Sequence, residues 1–174
     1  MRILTISGSL RSQSSNSAVL TALALIAPSD MSLVAYQGLA ALPHFNPDLE
    51  DDLPAPVQAL RSLVETSSGL VISAPEYAHG IPGSLKNLLD WLVGGVEFPG
   101  KPVALINTSL RAYHAQEQLR EILTTMSARL MAGSIEAPLL GRGLHPSGII
   151  EDPDLRSRLE KGLALLREAA LSPV

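Results

Sequence analysis

Five serines, an arginine and an asparagine crowd one short stretch near the start of the chain, Gly8-Ser9-Leu10-Arg11-Ser12-Gln13-Ser14-Ser15-Asn16-Ser17. Hydroxyls, a guanidinium and the unpaired N–H groups of a helix start are the donors that a phosphate monoester needs. One of Ser14, Ser15 or Asn16 serves as the helix N-cap, but a cap uses a single polar side chain and leaves the others unexplained. The stretch lacks Gly-x-x-x-x-Gly-Lys-Ser/Thr, so it is not a P-loop; it also lacks Gly-x-Gly-x-x-Gly, which disfavours a dinucleotide pyrophosphate here. A second unusual stretch is Pro75-Glu76-Tyr77-Ala78-His79-Gly80-Ile81-Pro82-Gly83. Its prolines and glycines shape a loop whose backbone groups can face a flat heterocycle, with Tyr77 or His79 against it. The plainer alternative is a tight strand-to-helix turn with Tyr77 as packing.

These stretches cooperate only if the fold brings them to one edge. Arg2–Ser7, Met31–Tyr36, Gly69–Ala74, Pro102–Asn107 and Ser134–Ala137 are short apolar runs that predict strands. Helical spacing covers Ser17–Ala27, Ala55–Glu65, Pro82–Val93, Tyr113–Met131 and Asp154–Leu171. Gln37–Asp52 has no pattern, and its length hints at a functional loop. Strict alternation of strand and helix predicts a parallel sheet with helices on both faces. Five strands rather than six favour the flavodoxin-like three-layer sandwich, an α/β fold with strand order 2-1-3-4-5. In that order ligands bind beyond the carboxyl ends of the first and third strands, which is where both unusual stretches lie.

The 174 residues fit a single domain spanning 1–174. With 13 basic and 17 acidic residues and a net charge of −4, the chain lacks the basic surface of a nucleic-acid binder. Cysteine is absent, which removes disulfides, thiolate metal sites and cysteine nucleophiles. No histidine pair has metal-ligand helix spacing, and Glu50, Asp51 and Asp52 read as a solvated loop, so no metal is expected. The most apolar stretch, Ala18–Ala27, is about half the length of a membrane span. The apolar run after Met1-Arg2 stops too soon for a signal peptide, so a cytoplasmic location without membrane contact is expected.

Gly8-Ser9-Leu10-Arg11 with Ser14 and Asn16, then Pro75-Glu76-Tyr77, then Ile81-Pro82-Gly83-x-Leu85-Lys86-Asn87-x-x-Asp90-Trp91, resembles the NADPH-dependent FMN reductase family. The resemblance runs through the whole chain. It implies bound FMN, with Ser9, Arg11, Ser14 and Asn16 on the phosphate and Ser17 as an addition. It places Pro75, Glu76, Tyr77 and Ala78 along the isoalloxazine edge and Ser109 at the hydroxyl position of the loop after the fourth strand. Relatives commonly carry Asn, a variable residue and Ser where this chain has Ala78, His79 and Gly80. Arg111 is left to meet the extra phosphate of NADPH, to close the site, or to lie in solvent.

The activity implied is electron transfer from NADPH or NADH through FMN to a small acceptor: a quinone, free flavin, azo dye or metal oxyanion. It follows ping-pong hydride transfer and needs no catalytic side chain. The alternative is a flavodoxin-type electron carrier, disfavoured by the modest charge, the single tryptophan and the Gly-Ser-Leu-Arg loop. A fold relative that has lost FMN would lack Arg11 and the serines. The family also implies a homodimer or homotetramer. Trp91 stands off the Leu85-Leu88-Leu92 stripe, which predicts that part of its helix faces outward, and this helix and the loop Asn107–His114 are expected near the contact with a second subunit.

Overall fold

A computed structural model describes residues 1–139 and 145–172. Its sheet is parallel. β1 (Arg2–Ser7) lies between β2 (Ser32–Ala35) and β3 (Gly69–Ser73), and β4 (Pro102–Asn107) follows β3. The fifth position holds two short pieces, β5 (Arg129–Leu130) and β6 (Ile135–Glu136), each parallel to β4. The order is therefore 2-1-3-4-5, as the alternation predicts. Successive residues of each central strand serve opposite faces. Leu70 and Ile72 join one core with Leu60, Leu88 and Leu119, while Val71 joins another with Val19, Ile149 and Leu159. That two-residue period, apolar on both sides, is what makes the strands read as continuous hydrophobic runs.

The helices are α1 (Ser15–Leu25), α2 (Ala55–Glu65), α3 (Gly83–Val93), α4 (Tyr113–Thr125), α5 (Pro146–Glu151) and α6 (Pro153–Leu171). Three differ from the sequence expectation. α1 starts two residues early, and of the three cap candidates Ser14 is the one that serves, accepting from the Ser17 N–H. α4 stops well before Met131. Ser127 takes a left-handed φ of 61°, its N–H donates to the Thr124 carbonyl, and the Ala128 N–H donates to the Leu123 carbonyl. This is a Schellman ending with serine where glycine is usual, so no glycine or proline marks it in the sequence. α5 has no counterpart among the expected elements.

One further expectation is corrected. Trp91 is fully buried, as are Leu85, Leu88 and Leu89, so the middle of α3 offers no outward apolar patch. Its indole N–H donates to the Pro43 carbonyl at 2.8 Å, and Phe45 packs edge-on against its ring at 5.1 Å. Contacts from α3 also fasten part of the Gln37–Asp52 loop. Asn87 donates to the Pro43 carbonyl and accepts from the Phe45 N–H, so residues 43–45 are a clamp on α3.

Candidate functional site

The loops after β1, β3 and β4 converge on a cavity of about 330 Å³, within the range of small-molecule sites. It is lined by Ser9, Arg11, Ser14, Ser15 and Asn16 from the first loop, Ala74 to Tyr77 from the second, and Thr108, Ser109, Arg111 and Ala112 from the third. Eight of the ten sequence-predicted site residues are among them: Ser9, Arg11, Ser14, Asn16, Pro75, Glu76, Tyr77 and Ser109. Two larger clefts, of about 590 and 530 Å³, flank the first loop on its α5 and β2 sides. The smaller cavity is the chemical candidate because all three loops at the carboxyl edge meet there.

Ser17 and Ala78 stand outside this cavity. Because α1 begins at Ser15, Ser17 falls in its first turn, and its hydroxyl meets the Ser7 hydroxyl at 2.9 Å. Ala78 occupies the tip of a two-residue hairpin, closed by N–H to carbonyl bonds of 3.0 Å in both directions between Tyr77 and Gly80. Ala78 and His79 both have positive φ, 49° and 59°, as a tight turn of this hand requires. Neither residue adopts that conformation freely, so the tip holds local strain.

Contacts from α4 hold the hairpin. Glu76 accepts from the Ala115 N–H at 2.8 Å, and so caps a helix whose own N-cap residue, Ala112, provides no side-chain bond. Gln118 accepts from the Ile81 N–H at 2.8 Å, and the His79 and His114 rings stack 4.3 Å apart. Tyr113, at the start of the same helix, hydrogen-bonds Glu117, and that carboxylate pushes the phenol up from its ordinary value.

Asn16 is nearly buried, and its carbonyl oxygen accepts from Ser73 at 2.8 Å and from Thr108 at 3.3 Å. One side chain thus ties together the three chain segments that build the cavity. Its Oδ1 is engaged there, which leaves the amide N–H groups as what Asn16 can offer to a ligand. Sequence reasoning missed Ser73 and Thr108 as positioning residues. The available signal was a hydroxyl closing an apolar strand run at the carboxyl edge.

The donor set fits a phosphate. Arg11 is exposed and has no carboxylate partner among the described residues. The N–H groups of Ser15 and Asn16 open α1 without intrahelical partners. The Ser9 and Ser14 hydroxyls stand beside them.

A parallel sheet of order 2-1-3-4-5 with such a loop at its carboxyl edge defines a flavodoxin-like α/β protein with a candidate mononucleotide site. Residues 1–137 match the family described as NADPH-dependent FMN reductase, and the chain belongs to that family. It is 36% identical over 138 residues to a quinone reductase of Escherichia coli K12, covering 75% of this chain and 73% of the relative. Among solved structures it is similar to FerB, a flavoenzyme NAD(P)H:(acceptor) oxidoreductase from Paracoccus denitrificans. That match has a TM-score of 0.80 and 25% identity over 97% of this chain and 98% of that one. It shares its fold with oxidised flavodoxin 1 from Bacillus cereus, with a TM-score of 0.60 and 16% identity over 97% of this chain and 98% of that one.

Proposed function

We propose that this chain is an FMN-dependent oxidoreductase that takes electrons from NADPH or NADH and delivers them to a small acceptor, a quinone first among them. The observation that carries the reading is the cavity joining the Ser9–Asn16 loop, the Pro75–Tyr77 segment and Ser109, in a chain of the FMN reductase family. FMN, when bound, supplies the chemistry of accepting two electrons from a nicotinamide and passing them on.

The protein's part is binding and shape. Ser9, Arg11, Ser14 and the N–H groups of Ser15 and Asn16 hold the phosphate, and Asn16 keeps the three loops in register. Pro75, Glu76 and Tyr77 line the ring edge, and Ser109 closes the third side. No side chain is assigned as acid or base.

The whole chain acts as one cytoplasmic FMN-binding domain. Among the described residues no helix is long and apolar enough to cross a membrane. It assembles as a homodimer or homotetramer. With the middle of α3 buried, the support for assembly is the cavity rim, including the expected loop Asn107–His114, where Leu10, Tyr77, Leu110 and Tyr113 are 59%, 51%, 74% and 61% exposed. Light scattering at micromolar concentration tests this, and a mass of 18.4 kDa would overturn it.

Steady-state turnover with NADPH and NADH against a quinone, free flavin and an azo dye tests the activity. Parallel double-reciprocal lines with at least one acceptor are expected. A protein that binds FMN yet oxidises neither dinucleotide would instead be an electron carrier.

A further inference from the structure

The loops after β1 and β4 are twins, Ser9-Leu10-Arg11 and Ser109-Leu110-Arg111. Two hydrogen bonds repeat in both loops. The last side chain of each strand, Ser7 or Asn107, accepts from the serine N–H two residues on, at 3.3 and 3.1 Å. Each serine hydroxyl then accepts from the N–H of its arginine, at 3.3 Å in both loops. Both serines and both arginines line the same cavity.

β3 lies between β1 and β4, so the two loops leave the sheet about 10 Å apart. Each loop therefore brings its own serine and arginine to the cavity from a different strand. Like Arg11, Arg111 is exposed and has no carboxylate partner among the described residues. Glu76, the one acid of the lining, is turned to the Ala115 N–H. The cavity therefore carries two cationic ends, of which FMN has a phosphate for one.

We infer that Ser109 and Arg111 form a second anion subsite, which receives an oxyanion carried by the co-substrate. The inference rests on the FMN reading of the cavity. Two sources share this chemistry: the extra phosphate of NADPH, and an acid group on the acceptor. In a ping-pong scheme both partners visit the same open face in turn, so one guanidinium can serve either.

The test uses FMN-loaded wild type, Arg111→Gln and Arg11→Gln. Retention of FMN is measured by dialysis and flavin absorbance. Calorimetric titration with NADP⁺ and NAD⁺ reads the donor arm. Reoxidation of the reduced proteins by anthraquinone-2-sulfonate and by uncharged anthraquinone reads the acceptor arm. Arg111→Gln is expected to keep FMN and to weaken the charged member of at least one pair by about 10-fold while sparing its neutral or less charged partner, the size of one exposed charge-assisted hydrogen bond. Loss confined to NADP⁺ names the donor phosphate, and loss confined to the sulfonate names the acceptor. Equal effects within both pairs, or no effect, would overturn the subsite. FMN loss matching that of Arg11→Gln would also overturn it, by making both arginines ligands of one phosphate. Wild type that does not hold FMN would remove the functional reading itself, which is a separate outcome.

Discussion

Arg11 lines the cavity with no carboxylate partner among the described residues, and the partner proposed for it is the phosphate of FMN. Arg11→Ala should weaken FMN by roughly 10- to 100-fold and riboflavin hardly at all, because only FMN has the monoester. Equal losses by fluorescence titration would remove Arg11 from the phosphate site. Ala78 makes the opposite kind of residue-scale statement. Its φ of 49° is one that asparagine tolerates and a β-branched residue does not. Ala78→Asn should stabilise the protein by about 0.5–1 kcal/mol and Ala78→Val should destabilise it by at least as much, read from thermal midpoints. Most of the candidate site was legible because its residues are polar, clustered and out of place in an apolar chain. Ser17 stands outside the cavity, in the first turn of α1, with its hydroxyl against that of Ser7. Ser73 and Thr108 were hidden because a single hydroxyl at a strand end looks like ordinary packing.

At the scale of elements, α4 and the Tyr77–Gly80 hairpin are one mechanical unit, joined by Glu76, Gln118 and the His79–His114 stack. Glu76 serves as a cap supplied from another loop, and it places negative charge at the positive end of the helix. Glu76→Ala should cost about 0.5–2 kcal/mol, the range for loss of an N-cap. Amide exchange should rise in the first turn of α4 and stay unchanged in α6. Uniform exchange increases would mean that Glu76 supports the fold generally and not this helix. Strand positions were legible because a parallel strand buried on both faces is a short apolar run bounded by polar turns, as Gly69–Ser73 is. The end of α4 and the split fifth strand were not. Apolar spacing continues through Leu130, whereas the chain turns at Ser127 and leaves the β4 edge between Leu130 and Ile135. Backbone conformation decided both, and neither Ser127 nor Met131 announces it in the sequence.

At the scale of the molecule, distant parts of the chain are tied by exposed charges as well as by the two cores. Arg167 of α6 donates to Asp30, before β2, at 2.6 and 2.8 Å. The hydrogen bond to that guanidinium, with its charge, holds the Asp30 carboxyl below its usual 3.8. A lowered folded value means that the contact adds stability above the ordinary carboxylate range and loses it as pH falls through the folded value. Asp30→Asn should therefore lower the thermal midpoint near neutral pH and make no difference in strong acid. Because both groups are solvated, added salt should narrow the neutral-pH gap. A gap that persists in strong acid would assign Asp30 a role other than this ion pair. The three loops at the carboxyl edge belong to the same scale, since three separate strands must be in register before the cavity exists. Their joint function is read most directly under anaerobic conditions, with FMN-loaded protein and one equivalent of NADPH or NADH, followed by one equivalent of quinone. Loss of the flavin's visible absorbance on adding the dinucleotide, and its return on adding the quinone, is the predicted result. Flavin absorbance that stays unchanged with both dinucleotides would contradict it.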